Sequence, residues 1–208
     1  MGGGPSNVVF DVGNVLYDWN PRFLYQRLIG DDRALDLFLG QVATKQWHFQ
    51  HDEGRDFADT SAELTALHPD HAEMIALWGP RFLDTIPGPM PGMIELVAEL
   101  DAAGVPLYAI TNFSHEFWPP FRAREAATFD RFRGIVVSGD EKLVKPFAPI
   151  YRLALDRWGL AAADTLFVDD RADNVEGARA VGMHALLFSD AATLRAQLVG
   201  LALLSAAR

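Results

Sequence analysis

The sequence predicts a doubly wound α/β fold, a parallel sheet with helices on both faces, carrying an inserted block of helices. Three observations predict it. Short, continuous apolar runs recur along the chain, each followed by a polar turn and then a helical pattern, as strands buried on both faces require. The stretch from Tyr17 to Thr85 contains helical patterns and no convincing strand. The chain has 208 residues, 50% of them apolar, enough for one sizeable core plus an insert.

Taken in order, the first run is Val8-Val9-Phe10. The helical block follows, with helices expected over Arg22 to Ile29, Ala34 to Phe38, Phe57 to Leu67 and His71 to Phe82. Its exit, Pro87-Gly88-Pro89-Met90-Pro91-Gly92, is stiff and turn-rich, as a hinge between two bodies should be. The expected division is therefore a core of residues 1–16 and 86–208 and a helical cap of residues 17–85. Met93, Leu96, Val97 and Leu100 then recur at helical spacing, with Gly104 as the stop. Leu107 to Ile110 and Gly134 to Val137 are the next two runs. Pro146 is expected in the first turn of a helix that carries Ile150, Leu153, Ala154 and Trp158 to Gly159. Thr165 to Val168, a helix ending at Ala178 to Val181 before Gly182, and the run His184 to Phe188 complete the alternation. Right-handed crossovers follow from such an order.

Composition narrows the function. With 28 acidic and 18 basic residues the formal net charge is −10, a surface that repels nucleic acid and anionic lipid. The absence of Cys excludes disulfides, thiolate metal sites and a Cys nucleophile, and fits a reducing cytoplasm. No apolar run approaches the roughly 20 residues that cross a bilayer. Met1 to Ser6 lacks the basic and apolar regions of a signal peptide and reads as a floppy leader, although Gly2 and Ser6 formally match an acylation pattern.

In an open α/β sheet, ligands gather beyond the carboxyl ends of the strands. The residues expected there are Asp11; Thr111 and Asn112; Lys145, followed by Pro146; and Asp169 and Asp170, with Asp173 and Asn174 one turn on. Converging carboxylates repel each other unless a cation joins them. An all-oxygen set without His or Cys suits Mg²⁺. A lysine nearby can balance charge on Asp11 and on a phosphoryl oxygen, the Thr111 hydroxyl and Asn112 amide can meet other oxygens, and Asp11 is left as a nucleophile. Plainer roles compete: Asp11 as a helix cap, Lys145 as a solvated lysine, and Asp173 or Asn174 as caps of a helix starting at Val175.

These four segments resemble, in order, the four motifs of the haloacid dehalogenase superfamily, whose core is Rossmann-like. Asp11-Val12-Gly13-Asn14-Val15 and the segment Trp47 to Arg55 are most similar to the bacterial branch that includes α-D-glucose-1-phosphate phosphatase. The resemblance implies a Mg²⁺ held by Asp11, Asp170 and the Gly13 carbonyl, a phosphoryl group bound by Thr111, Asn112 and Lys145, and support for the metal from Asp169 and Asn174. It also implies a helical cap and a small phosphorylated metabolite as substrate, with a sugar phosphate among the candidates; the acidic composition and the lack of a long apolar run add the expectation of no nucleic-acid or membrane partner, and a monomer or homodimer is expected. Two departures stand out. Where relatives carry a second Asp as acid and base this chain has Gly13, and where many have Asp after the Lys-Pro pair it has Phe147. His48, His51 and Glu53 are the residues of the insert that could fill the vacated acid role, though they also read as ordinary pocket polar groups. The expected activity is phosphomonoester hydrolysis through an aspartyl-phosphate. The alternatives are dehalogenation at carbon, which needs no Mg²⁺, and a degenerate protein that binds a phosphorylated ligand without turnover.

Overall fold

The computed structural model describes residues 4–206. Gly2 of the acylation pattern lies outside them. The chain enters through β1 (Asn7–Phe10) and β2 (Tyr17–Asp18), then runs through α1 (Pro21–Tyr25), α2 (Asp32–Gln41), α3 (Lys45–Asp52), α4 (Phe57–Leu67) and α5 (Ala72–Leu77). It returns through β3 (Gly88–Pro89), α6 (Met93–Ala102), β4 (Leu107–Thr111), α7 (Trp118–Arg124), α8 (Ala126–Phe129), β5 (Gly134–Val137) and α9 (Ser138–Glu141). The last part is α10 (Ala148–Trp158), β6 (Thr165–Asp169), α11 (Ala172–Ala180), β7 (His184–Leu187) and α12 (Ala191–Gly200).

All five predicted apolar runs are strands of one parallel sheet, in the order β5-β4-β1-β6-β7. Strand β1 sits at its centre, with Val9 in register with Tyr108 on one side and Phe167 on the other. Alternate residues of β1 serve opposite faces, as strand geometry dictates. Val8 and Phe10 pack with Leu96 and Leu100 of α6 and Leu194 and Leu198 of α12. Val9 packs with Ile150 and Tyr151 of α10 and Val175 and Ala178 of α11. Both faces are thus covered, which is why the strands are apolar throughout rather than alternating.

The structure departs from the expected elements in specific places. Tyr17 and Asp18, inside the stretch read as strand-free, pair antiparallel with Pro89 and Gly88, so the chain entering and leaving the helical block is tied by a two-stranded ribbon. Two residues carry no readable periodicity. Helix α3 lies outside the expected helices; Thr44 caps it, its hydroxyl accepting from Trp47 N at 3.0 Å. The helix expected over His71 to Phe82 stops at Leu77, shortly before Pro80, which has no N–H to continue the ladder. Pro146 does not start α10: it follows Lys145 through a cis peptide, and Pro149 occupies the first turn instead. Arg171, not Asp173 or Asn174, is the N-cap residue of α11. Among the described residues no helix is long and apolar enough to cross a membrane.

The helical block packs into one continuous hydrophobic core with one face of the sheet. Tyr25 and Trp78 are completely buried there, and Trp47 Nε1 donates to Thr60 O at 3.1 Å. At the seam, Ser138 Oγ of α9 donates to Asp52 O at 2.6 Å. Gly54 closes α3 with φ +88°, and a Cβ there would stand 2.7 Å from the Gly139 carbonyl oxygen. Gly54→Ala therefore meets both the left-handed penalty of about 1–2 kcal/mol and a backbone clash. Urea unfolding should show a loss above about 2 kcal/mol, at the upper end of ordinary single substitutions; a loss below the left-handed penalty alone would contradict the close approach.

His51 is fully buried, with Nε2 at 2.7 Å from Thr60 Oγ1. Burial, with Arg55 and His115 adding, lowers its pKa to about 4. The unfolded imidazole binds a proton near pH 6.5 and the folded one does not, so this residue's contribution is lost as pH falls from 6.5 toward 4. Between pH 7 and pH 5 the wild type should lose about 2 kcal/mol more than His51→Gln. Urea midpoints of the two proteins at both pH values measure this difference, from which carboxylates common to both cancel.

Candidate active site

Strand β1 delivers Asp11 to the carboxyl edge of the sheet, where Val12 N donates to its Oδ1 at 2.7 Å. Lys145 Nζ lies 2.7 Å from the same oxygen and 2.7 Å from Asp169 Oδ2. The lysine is 1% exposed, and an ammonium so buried is tolerable only because two carboxylates flank it. Its backbone is clamped as well. Lys145 N donates to Asn112 Oδ1 at 2.9 Å, and Asn112 Nδ2 donates to Lys145 O at 3.1 Å. Helix α11 presses on the same loop at Gly177, where a Cβ would come within 2.3 Å of the Pro146 carbonyl oxygen. Only glycine permits that approach.

Asp169, at the end of β6, is completely buried and saturated with donors. Besides Lys145 it accepts from Arg171 N at 2.9 Å and from Asn174 Nδ2 at 3.0 and 3.1 Å. It holds Lys145 in place and does not line the cavity described next. Asp170 does line it, and single oxygens of Asp11, Asp169 and Asp170 fall within 4.8 Å of one another. Burial, foremost, lifts the Asp11 carboxyl to about 7, with Asp169 and Asp170 adding and Lys145 opposing. Asp170 is raised too, by burial and then by Asp169. Three carboxylates against one ammonium leave positive charge wanting, and the open oxygens belong to hard carboxylates. This donor set fits a divalent cation such as Mg²⁺ at Asp11 and Asp170.

These groups form the floor of a cavity of about 570 Å³. Asp11, Gly13, Asn112, Lys145, Asp170 and Asn174 all line it. Thr111 is buried at the end of β4 and is not among the lining residues. The opposite wall comes from the inserted helices: Lys45, His48, Phe49 and Asp52 occupy one face of α3, at the i, i+3, i+4, i+7 spacing of a helical stripe. Trp19, Phe82 and Ile86 complete an aromatic and apolar interior.

Several expected roles change. The Asn112 amide, expected at a phosphoryl oxygen, is committed to the Lys145 backbone, because the two loops meet edge to edge. Asn174 is not a cap; its amide secures Asp169. Asp173 pairs with Arg171 at 2.6 Å on the surface. Glu53 is exposed, and His51 is buried against Thr60, Trp47 and Phe117, so of these two and His48 only His48 reaches the cavity. His48 is neutral, its pKa lowered to about 3 by burial and by His51. Phe49 lines the cavity beside it. Asp52 carries no motif of its own. Only the assignment of α3 as a helix places it one turn beyond His48 on the same face.

Residues 6–182 match the family described as haloacid dehalogenase-like hydrolase. The chain is 30% identical over 188 residues to a sesquiterpene phosphatase of Aspergillus oryzae, covering 88% of this chain and 89% of that protein. A family enzyme of Bacteroides thetaiotaomicron, solved with magnesium and inorganic phosphate, is similar with a TM-score of 0.66 at 17% identity, covering 90% of this chain and 96% of the other. The L-2-haloacid dehalogenase of Xanthobacter autotrophicus is similar with a TM-score of 0.64 at 19% identity, covering 94% and 83%. The two structural likenesses bear on the fold.

Proposed function

The chain belongs to the haloacid dehalogenase-like hydrolases, and from that premise we propose that it is a Mg²⁺-dependent phosphatase acting on small phosphomonoesters through an aspartyl-phosphate on Asp11. The observation that carries this reading is the buried Lys145 bridging Asp11 and Asp169 beside the cavity-lining Asp170. Dehalogenation uses a carboxylate nucleophile but no metal, and leaves the crowded Asp11–Asp170 cluster without a purpose. The phosphatase relative of near-equal length supports the same choice.

In this reading Asp11, Asp170 and the Gly13 carbonyl hold Mg²⁺, which supplies positive charge for the phosphoryl oxygens when bound. Lys145 contacts Oδ1 of Asp11, opposes the rise that burial imposes on that carboxyl, and fixes its aim. The other oxygen, Oδ2, forms the bond to phosphorus as the alcohol departs, and water then cleaves the acyl phosphate. Lys145 binds phosphoryl oxygens, while Asn112 clamps its backbone and Asp169 and Asn174 hold it in register.

Trp19, Phe49, Phe82 and Ile86 line the space above Asp11 and favour an alcohol with an apolar body. A sugar phosphate, as the α-D-glucose-1-phosphate resemblance suggests, is the second reading; Asn14, Lys45 and Gln46 on the same walls could meet its hydroxyls. The lack of cysteine is in keeping with a cytoplasmic enzyme.

Phosphate release from a panel of alkyl, prenyl-type and sugar phosphates tests the proposal. Activity is expected with Mg²⁺, lost in excess chelator, and higher for apolar esters than for sugar phosphates. Full activity in chelator would sink the metal-dependent reading. Asp11→Asn should reduce turnover on the order of 10⁴-fold or more with the fold intact, and Asp170→Ala should raise the Mg²⁺ concentration needed. Circular dichroism and activity titrated against Mg²⁺ check both.

A further inference from the structure

We propose that Asp52, reaching into the cavity from the inserted helices, is the proton donor to the leaving oxygen, a role that Gly13 leaves open on the floor. The inference rests on the phosphatase reading above and adds to it the residue that protonates the alcohol.

Asp52 is 6% exposed and lines the cavity that Asp11 lines. Its Oδ1 is buried without any hydrogen-bond partner. The nearest basic atom is His48 Nε2, at 3.7 Å, beyond hydrogen-bonding distance. Lys145 is taken up by Asp11 and Asp169. A buried carboxylate with neither a cation nor an N–H donor on that oxygen is strongly disfavoured as the anion, so the neutral acid is the form this pocket selects. The groups that face it agree. His48 is a neutral imidazole on its own helix, and Glu53 and Asp11 repel a charge on Asp52 while Lys145 partly offsets them. Burial is the largest influence, and the Asp52 pKa lies well above the ordinary carboxylate range.

The other protic groups of the cavity are weaker acids or are committed elsewhere: the Trp19 indole and the neutral His48 ring leave a buried nitrogen unpartnered, but neither N–H is acidic enough to protonate an alkoxide leaving group in step with its departure. Gly13 has no side-chain proton. Tyr17 OH is bonded to Glu125 and Thr128, each at 3.0 Å. Lys45 is exposed at the rim, and Arg171 is paired with Asp173. Among the described residues Asp52 alone combines burial, an unpartnered acid oxygen and a place on the cavity that Asp11 also lines.

The chemistry balances without a further reactant. As Asp11 bonds to phosphorus and the P–O bond to the alcohol breaks, the Asp52 O–H passes its proton to the leaving oxygen. The product departs as a neutral alcohol and Asp52 becomes a carboxylate. That carboxylate then accepts a proton from the water whose oxygen bonds to phosphorus while the Asp11–phosphorus bond breaks. Inorganic phosphate leaves, and both side chains are restored.

The test compares kcat/KM of wild type and Asp52→Asn on two esters, 4-nitrophenyl phosphate and butyl phosphate, with Mg²⁺ present. This ratio reports on the first transfer, to Asp11. Nitrophenolate leaves without a proton, so the aryl ester should react within a few-fold of wild type and also certifies that the variant is folded. The butyl ester should slow by about 10²–10⁴-fold, the range of a positioned general acid. Equal losses on both esters, or no loss on butyl phosphate, would overturn the role of Asp52. A wild type inert toward both esters with Mg²⁺ would instead bring down the phosphatase reading, and the role of Asp52 with it.

Discussion

Lys145 shares its ammonium between Asp11 and Asp169 at 2.7 Å each, deep at the carboxyl edge of the sheet. Removing either carboxylate would leave a buried charge poorly compensated, so the three residues depend on one another. Everything around them serves that contact. Asn112 fixes the Lys145 backbone, Asn174 and Arg171 N saturate Asp169, and Gly177 lets α11 come close enough to press the loop inward. The result is an Asp11 with one oxygen restrained and one available, which is what a nucleophile or a metal ligand needs.

The inserted helices complete the site rather than merely shelter it. Helix α3 turns one face into the core, with Trp47 and His51, and the other into the cavity, with His48 and Asp52. The ribbon of β2 and β3 ties entry to exit, while Ser138, Gly139 and Glu116 meet the insert at Asp52, Gly54 and Phe57. The cavity therefore has a cationic and acidic floor and a largely aromatic roof. Phosphate suits the first and an apolar alcohol the second.

Charge acts on two scales. The whole chain is acidic, at −10, and discourages polyanions from the surface. Inside the cavity burial and then the crowded carboxylates raise Asp11 and Asp170, and Lys145 is the cation set against them. In the proposed function a divalent cation would join Lys145 in offsetting them, making the metal part of the surface that meets a small phosphorylated molecule.

The strands of the sheet were legible because the central three, β4, β1 and β6, are buried on both faces, a burial that demands continuous apolar runs such as Val8 to Phe10. Parallel strands in turn bring Asp11, Thr111 and Asp169 to one edge whatever the loops do. Helix α3 was not legible because both its sides are buried and several of its buried residues are polar, so hydrophobic periodicity does not mark it. The Asn112–Lys145 clamp, the β2–β3 pair and the approach of Asp52 to the cavity join residues far apart in sequence. Local pattern thus determined the sheet and the set of residues at its carboxyl edge. Which of those residues face the cavity, which only hold another in place, and which residue of the insert faces Asp11 was decided by tertiary packing, because those contacts form only when separate elements close on one another.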